Sequence, residues 1–116
     1  MRDHTRLRAF ELADKLALET YRATKAFPRE EQFGITSQMR HAAVSVASNI
    51  VEGCARHTEV EYLRFLDIAY GSVRELEYQI TLAMRLGYLN SEPSDDLLSL
   101  AIETSKVLAG LIRSLR

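Results

Sequence analysis

Residues 38–53 read QMRHAAVSVASNIVEG, a stretch of helical length in which most side chains are small. At 3.6 residues per turn, the small and apolar residues cover most of the circumference, which is more than one bundle core needs. We therefore predict a helix that is buried on two sides, where small side chains let neighbouring backbones approach closely. Asn49 and Glu52 lie within this surface, so we expect them to be buried and to hold the helix register through hydrogen bonds.

Hydrophobic periodicity predicts four helical segments. The first covers residues 5–26, because Pro28 disfavours helix in the residue before it. The second covers residues 37–55, with Thr36 as its N-cap. The core stripe predicted for the first segment consists of Leu7, Phe10, Ala13, Leu16, Ala17 and Tyr21.

The third segment opens on the T-x-x-E spacing of Thr58 and Glu61, in which each side chain can satisfy the backbone N–H of the other residue. It continues to residue 86, and Gly87 is placed to end it in a left-handed turn. The fourth segment starts at Ser91. The core stripe predicted for the third segment consists of Leu63, Leu66, Ala69, Val73, Leu76, Ile80 and Ala83.

The composition agrees with a few long helices rather than many short strands. The 116 residues include only two Pro and five Gly, and 47% of them are apolar, a value typical of globular chains. Short connections place successive helices antiparallel. We therefore predict an all-α, antiparallel up-and-down four-helix bundle that forms a single domain over residues 1–116.

The basic residues are unevenly distributed in this predicted bundle. The starts of the first and third helices and the ends of the second and fourth share one end, which we call the basic pole (residues 1–13, 50–68 and 104–116). The basic pole carries eight basic and six acidic side chains, against seven and ten elsewhere. A symmetric ring would repeat this pole into a basic annulus that attracts phosphate. The candidate nucleic-acid contacts are Arg2, Arg6, Arg8, Arg56 and Arg64.

Gly71 lies in the middle of the third predicted helix, on the side away from its core stripe. A mid-helix Gly costs about 1 kcal/mol relative to Ala, so close approach of another chain is a reasonable explanation for it. We predict that the second and third helices build a homo-oligomer contact. The candidates for the oligomer contact or the helix register are Asn49, Glu52, Gly53 and Gly71.

Two patterns bear on catalysis and metal binding. Cys54 and His57 have the spacing C-x-x-H, which on a helix puts both side chains on one face, but a structural zinc site needs four ligands. His41 and Ser45 share a helical stripe without an orienting acid, which nucleophilic catalysis requires. We therefore expect no enzyme, no catalytic or metal-binding residue and no cofactor, with Cys54 acting as a small buried hydrophobe.

The single cysteine excludes an internal disulfide framework and suits a reducing compartment. No apolar run approaches the length of a transmembrane helix, and the first residues are charged rather than apolar. We expect a cytoplasmic protein with no membrane partner.

Four segments of the chain have a distinctive make-up: FGITSQMRHAAVSVASNIVEG (residues 33–53), FLDIAYGSVRELEYQI (65–80), LAMRLGYL (82–89) and LAGLIRSLR (108–116). They closely resemble the bacterial four-helix bundle proteins named for 23S rRNA intervening sequences. The resemblance implies a bundle assembled as a cyclic homopentamer, without enzymatic activity or cofactor. A related branch comprises the accessory proteins of diversity-generating retroelements, basic pentameric barrels that bind nucleic acid and a reverse transcriptase.

The chain departs from the retroelement branch in charge, because its formal net charge is −1. Two hypotheses about function therefore stand. In the first, the oligomer binds RNA or DNA through the basic pole of the ring. In the second, the oligomer is a scaffold that engages a protein partner with little or no contact to nucleic acid.

Overall fold

The computed structural model describes residues 2–116, apart from the side chains of residues 91–95. The bounds of its four helices are α1 Arg8–Thr24, α2 Ile35–Cys54, α3 Glu59–Arg85 and α4 Ser91–Leu115. Each helix packs against the next and α1 also packs against α4, whereas no diagonal pair is in contact within the described residues. This arrangement is the predicted up-and-down bundle, and it is 43 Å long.

The core between the helices combines large and small side chains. Leu16, Ile50, Leu76 and Leu108 are fully buried, one from each helix. The predicted core position of Tyr21 is wrong, because this side chain is 43% exposed. The inner stripe of α1 instead continues through two buried threonines at positions 20 and 24. The hydroxyl of each donates to a backbone carbonyl four residues earlier, which satisfies it inside the core.

The start of α1 differs from the prediction. Leu7 adopts an extended backbone (φ −87°, ψ 128°), so the helix begins at Arg8. A short 3-10 helix, His4–Arg6, precedes it. The Asp3 carboxylate accepts hydrogen bonds from the Thr5 backbone N–H (3.0 Å) and hydroxyl (2.6 Å), which caps this turn.

The start of α2 also differs, because Thr36 is not its N-cap. The helix begins at Ile35, and Gly34 is the N-cap. A Cβ atom at Gly34 would lie 2.6 Å from Oε1 of Glu31, so a larger residue at this position would require the Glu31 side chain to move. Thr36 is buried, and its hydroxyl has no hydrogen-bond partner within the described residues.

Both ends of α3 lie where they were predicted, but only the Thr58 half of the reciprocal cap is present among the described residues. The Thr58 hydroxyl accepts a hydrogen bond from the Glu61 backbone N–H at 3.2 Å. At the other end Gly87 has φ +79°, in the left-handed region. The N–H groups of Gly87 and Tyr88 donate to the carbonyls of Met84 and Ala83, both at 3.0 Å, which is the hydrogen-bond pattern of a Schellman motif.

Close contact between α2 and α3 requires Gly53. A Cβ atom there would lie 2.9 Å from Cβ of Phe65 and 3.3 Å from both the ring and the carbonyl oxygen of Tyr62. Gly71 is different, since a Cβ atom added to it would meet nothing within 4 Å. Within one chain, therefore, Gly53 has a packing role and Gly71 has none.

We expect Gly53→Ala to lower the free energy of unfolding by about 1–3 kcal/mol, because the added methyl group forces two packed helices apart. Gly71→Ala is the matched control, and it should raise that free energy by about 0.5–1 kcal/mol through helix propensity. Urea unfolding followed by circular dichroism measures both. Equal effects of the two substitutions would contradict the close contact at Gly53.

Candidate nucleic-acid and self-association surfaces

Contacts between chain segments assemble the basic pole. The backbone N–H of Arg2 donates to the carbonyl of Cys54 at 3.1 Å, which fixes the N-terminal segment to the end of α2. Arg116, after α4, pairs with Asp67 on α3 at 2.6 Å. The five arginines predicted to contact nucleic acid therefore lie at one end of the bundle, but their surroundings differ.

Arg2 is held within the chain. Its guanidinium lies 4.0 Å from the ring centroid of Tyr62, a cation–π contact, and donates to the carbonyl of Arg56 at 3.5 Å. That carbonyl lies just beyond the C-terminal end of α2, where a cation is electrostatically favourable. Arg2 thus has a structural explanation that requires no ligand.

Arg8 and Arg56 each have an acidic partner. Arg8 pairs with Glu103 across α1 and α4 at 2.7 Å. Arg56 pairs with Glu52 at 2.9 Å, and its guanidinium lies 4.9 Å from the ring centroid of Phe65. Exposed ion pairs of this kind are worth only about 0–1 kcal/mol, but the nearby carboxylates still lower the attraction that a phosphate group would feel.

Arg6 and Arg64 are the two candidates that are exposed without a close acidic partner. The side chain of Arg6 is 86% exposed, and its one ion pair among the described residues is with Asp3, at 3.7 Å. Arg64 is exposed and makes no ion pair within the described part of the chain. Of the five predicted contacts, these two are the most available to a ligand.

Among the register candidates, Asn49 acts through a neighbour. Its Nδ2 donates to the carbonyl and to Oγ of Ser45, at 2.8 and 3.0 Å. Ser45 Oγ lies 2.9 Å from Ser72 Oγ on α3, so the serine pair links the two helices and Asn49 positions it. The sequence did not reveal this pair, because it depends on the register between α2 and α3.

Glu52 is not buried within the single chain, and its burial in a contact between copies stays a prediction. Its side chain is 52% exposed and pairs with Arg56 one turn later. The outer side of α2 faces solvent at Glu52. Within one chain, therefore, α2 is buried only on the side that packs in the bundle, and not on the second side that was predicted to be buried.

The outward side of α3 mixes apolar and charged side chains around Gly71, because Arg64, Asp67, Arg74 and Glu75 are also exposed there. Val60, Ile68 and Tyr78 are large and exposed there, and Gly71 itself is exposed. We call these four residues the α3 face. Three large side chains thus remain open to solvent among the charged ones.

A second exposed apolar surface lies across α1 and α2. It consists of Leu18, Tyr21, Phe33 and Val44, which we call the α1–α2 face. Phe33, in the connection, is 90% exposed. A groove of about 450 Å³ runs beside it, between Tyr21 and Val44. The sequence reasoning did not single out Phe33, because exposure of an aromatic residue in a loop is decided by tertiary packing.

Cys54 and Tyr62 form a buried pair beneath Arg2. Burial raises the pKa of the Cys54 thiol, and burial together with the adjacent Cys54 raises the pKa of Tyr62 to about 12. Cys54 therefore packs as a protonated, small hydrophobe. His57 lies past the end of α2 and is exposed, so it does not share a helical face with Cys54. The described residues form no cluster of three or more His, Cys, Asp and Glu side chains suited to a metal ion.

The fold and these surfaces define a small antiparallel four-helix bundle protein with exposed apolar faces on two sides. Residues 5–110 match the family described as 23S rRNA-intervening sequence protein, so the chain belongs to this family, in agreement with the resemblance of its four segments.

One solved structure in particular shares the fold. It is a protein of unknown function from the S23 ribosomal protein family of Bacteroides thetaiotaomicron. The two structures superpose with a TM-score of 0.84, over 90% of this chain and 95% of the other, at 22% sequence identity. This likeness establishes the fold alone. The comparison with curated proteins gives no match.

Because the phenol of Tyr62 is buried, the free energy of unfolding changes with pH in the alkaline range. The folded chain keeps the phenol proton up to a pKa of about 12, whereas the unfolded chain loses it near the ordinary value of 10.0. The contribution to stability is complete below pH 10 and is lost as the pH rises through 12. We expect the free energy of unfolding to fall more steeply over this window in the wild type than in Tyr62→Phe. Urea unfolding at a series of pH values measures this, and parallel curves would contradict it.

Proposed function

We propose that this chain is a non-enzymatic subunit that assembles with copies of itself into a ring, a pentamer as the resemblance implies, and that the ring is a scaffold. The distribution of exposed apolar side chains supports this proposal. Eight large ones are exposed in the described part of the chain, and none of them is on α4; they are Leu18, Tyr21, Phe33, Val44, Val60, Ile68, Tyr78 and Leu86. Apolar surface concentrated in this way is typical of a protein–protein contact.

The two apolar faces are placed for a head-to-tail contact between copies. They lie on different helices and differ in shape, so contact of the α1–α2 face with the α3 face of the next copy is heterologous, which generates a closed ring or a filament. The Ser45–Ser72 hydrogen bond puts Val44 and Gly71 at the same height along the bundle. The Tyr88 hydroxyl donates to Glu31 at 2.8 Å, which puts Phe33 at the same end as Leu86. Bundles that stand side by side therefore bring apolar residues together at both levels.

We expect Phe33→Ser and Gly71→Leu each to reduce the mass of the particle in solution, because one removes an exposed aromatic side chain and the other adds bulk at an open position. Light scattering coupled to size-exclusion chromatography measures the mass. Ser99→Leu, which adds the same side chain at an exposed position of α4, is the control and should leave the mass unchanged. The proposed assembly would be contradicted if the wild type had the mass of one chain. An unchanged mass in both variants would contradict it as well.

We also propose that the ring binds RNA or DNA through the basic pole. Two exposed arginines, Arg6 and Arg64, support this, because each copy in a ring adds both to the same annulus. Binding by several exposed cations releases counterions, so its affinity falls steeply with salt. Arg2, Arg8 and Arg56 would contribute less, since they already contact groups within the chain.

At about 50 mM salt, we expect Arg6→Glu/Arg64→Glu to lower the affinity for structured RNA and for single-stranded DNA by about tenfold or more. We expect the wild type to lose affinity by orders of magnitude when the salt is raised to about 200 mM. Fluorescence anisotropy measures both effects. Arg22→Glu/Arg29→Glu makes the same charge change away from the pole and should bind like the wild type. Flat wild-type curves at low salt would leave only the scaffold function, and an equal loss in the control would exclude the pole as the site.

Two further observations support a proposal about the compartment. No helix in the described part of the chain combines the length and the apolar character that crossing a bilayer requires. The one cysteine is a free, buried thiol, as suits a reducing environment. We propose that the protein works in the cytoplasm.

A further inference from the structure

A groove of about 550 Å³ follows the seam between α3 and α4. It contains none of the five arginines predicted to contact nucleic acid and none of the residues of the two apolar faces, but two of its lining residues, Lys106 and Arg113, belong to the basic pole. The residues that line it include Tyr70, Arg74 and Glu77 from α3 and Ile102, Lys106 and Arg113 from α4.

The α4 wall of the groove carries two cations that are not paired. Lys106 and Arg113 are exposed, and neither makes an ion pair within the described part of the chain. They are two helical turns apart on one face, a separation of about 10 Å along the axis. On the opposite wall the Arg74 guanidinium donates to the Tyr70 hydroxyl at 3.1 Å and lies 3.6 Å from the Glu77 carboxylate.

The deeper part of the groove is partly apolar and contains one unsatisfied acceptor. Ile102 and Ala109 line it with aliphatic surface, and both are partly buried. The side chain of Glu77 is only 18% exposed, and its Oε2 is buried without a hydrogen-bond partner among the described residues. An occupant that fits this groove offers carboxylates to the cations and apolar side chains to the aliphatic surface.

We propose that this groove binds an acidic amphipathic helix of a partner protein, with two carboxylates about seven residues apart that pair with Lys106 and Arg113. A helix laid in a groove between two helices is a common mode of peptide recognition. A nucleic-acid backbone fits less well, because it brings a phosphate at every nucleotide towards the Glu77 carboxylate, and Tyr70 is the one aromatic ring among the lining residues. One chain forms the whole groove, so this inference goes beyond the proposed ring and does not depend on it.

The test uses a fluorescein-labelled helical peptide of about 14 residues, with two glutamates seven positions apart and leucines on the same face. We expect saturable binding to the full chain. Lys106→Glu/Arg113→Glu should weaken it about tenfold or more, because reversal replaces two attractions with two repulsions. A peptide with glutamine in place of both glutamates should lose affinity similarly. Lys25→Glu/Arg29→Glu, with the same charge change outside the groove, is the control and should bind like the wild type.

Three results would overturn the proposal. The first is no binding of the acidic peptide up to about 1 mM, or equal binding by the groove variant and the control. The second is a loss of oligonucleotide binding by the groove variant with no loss of peptide binding, which would make the groove a nucleic-acid site within the basic pole. The third is a changed particle mass of the groove variant, which would make the groove a contact between copies. Circular dichroism of both variants verifies that the fold is kept in each comparison.

Discussion

The close contact between α2 and α3 is the constraint on which the rest of the structure depends. Small side chains along α2 and the glycine at position 53 let the two backbones approach, and the hydrogen bond between Ser45 and Ser72 fixes how far one helix is shifted along the other. Because a packed core resists such shifts, this register also fixes the heights of the exposed residues. The alignment of Val44 with Gly71 follows directly from it, and so does the position of the pole relative to the apolar faces.

The sequence predicted the parts of the fold that are decided locally. The spacing of apolar residues requires no knowledge of neighbours, so four helices and their order could be predicted. The cap at Thr58 and the left-handed Gly87 are equally local, since each acts on backbone groups within one turn. The predicted N-cap at Thr36 failed because α2 begins at Ile35, one residue before Thr36, with Gly34 as its N-cap. The first turn of α1 failed because Asp3 stabilises a separate short helix.

The candidate surfaces were predictable only in part, for a related reason. The order of the helices assigns arginines to one end, but their partners come from distant parts of the chain, such as Glu103 for Arg8. The sequence therefore identified which cations share a pole and not which of them are available to a ligand. The exposure of Phe33 and the pairing of Glu52 with Arg56 could not be predicted for the same reason. Each depends on what the folded chain places beside the residue.

The exposed large apolar residues are unevenly distributed over the bundle, and this distribution bears on how a scaffold could work. They lie on or beside α1, α2 and α3, whereas the described part of α4 contributes two cations, small residues and the partly buried Ile102 to its groove with α3. A ring closed through the apolar faces would use little of α4 and would present one groove per copy. Several weak grooves on one particle bind a multivalent partner far more tightly than one groove does. Modest affinity at each groove is thus compatible with a scaffold function, provided that the ring holds the grooves together.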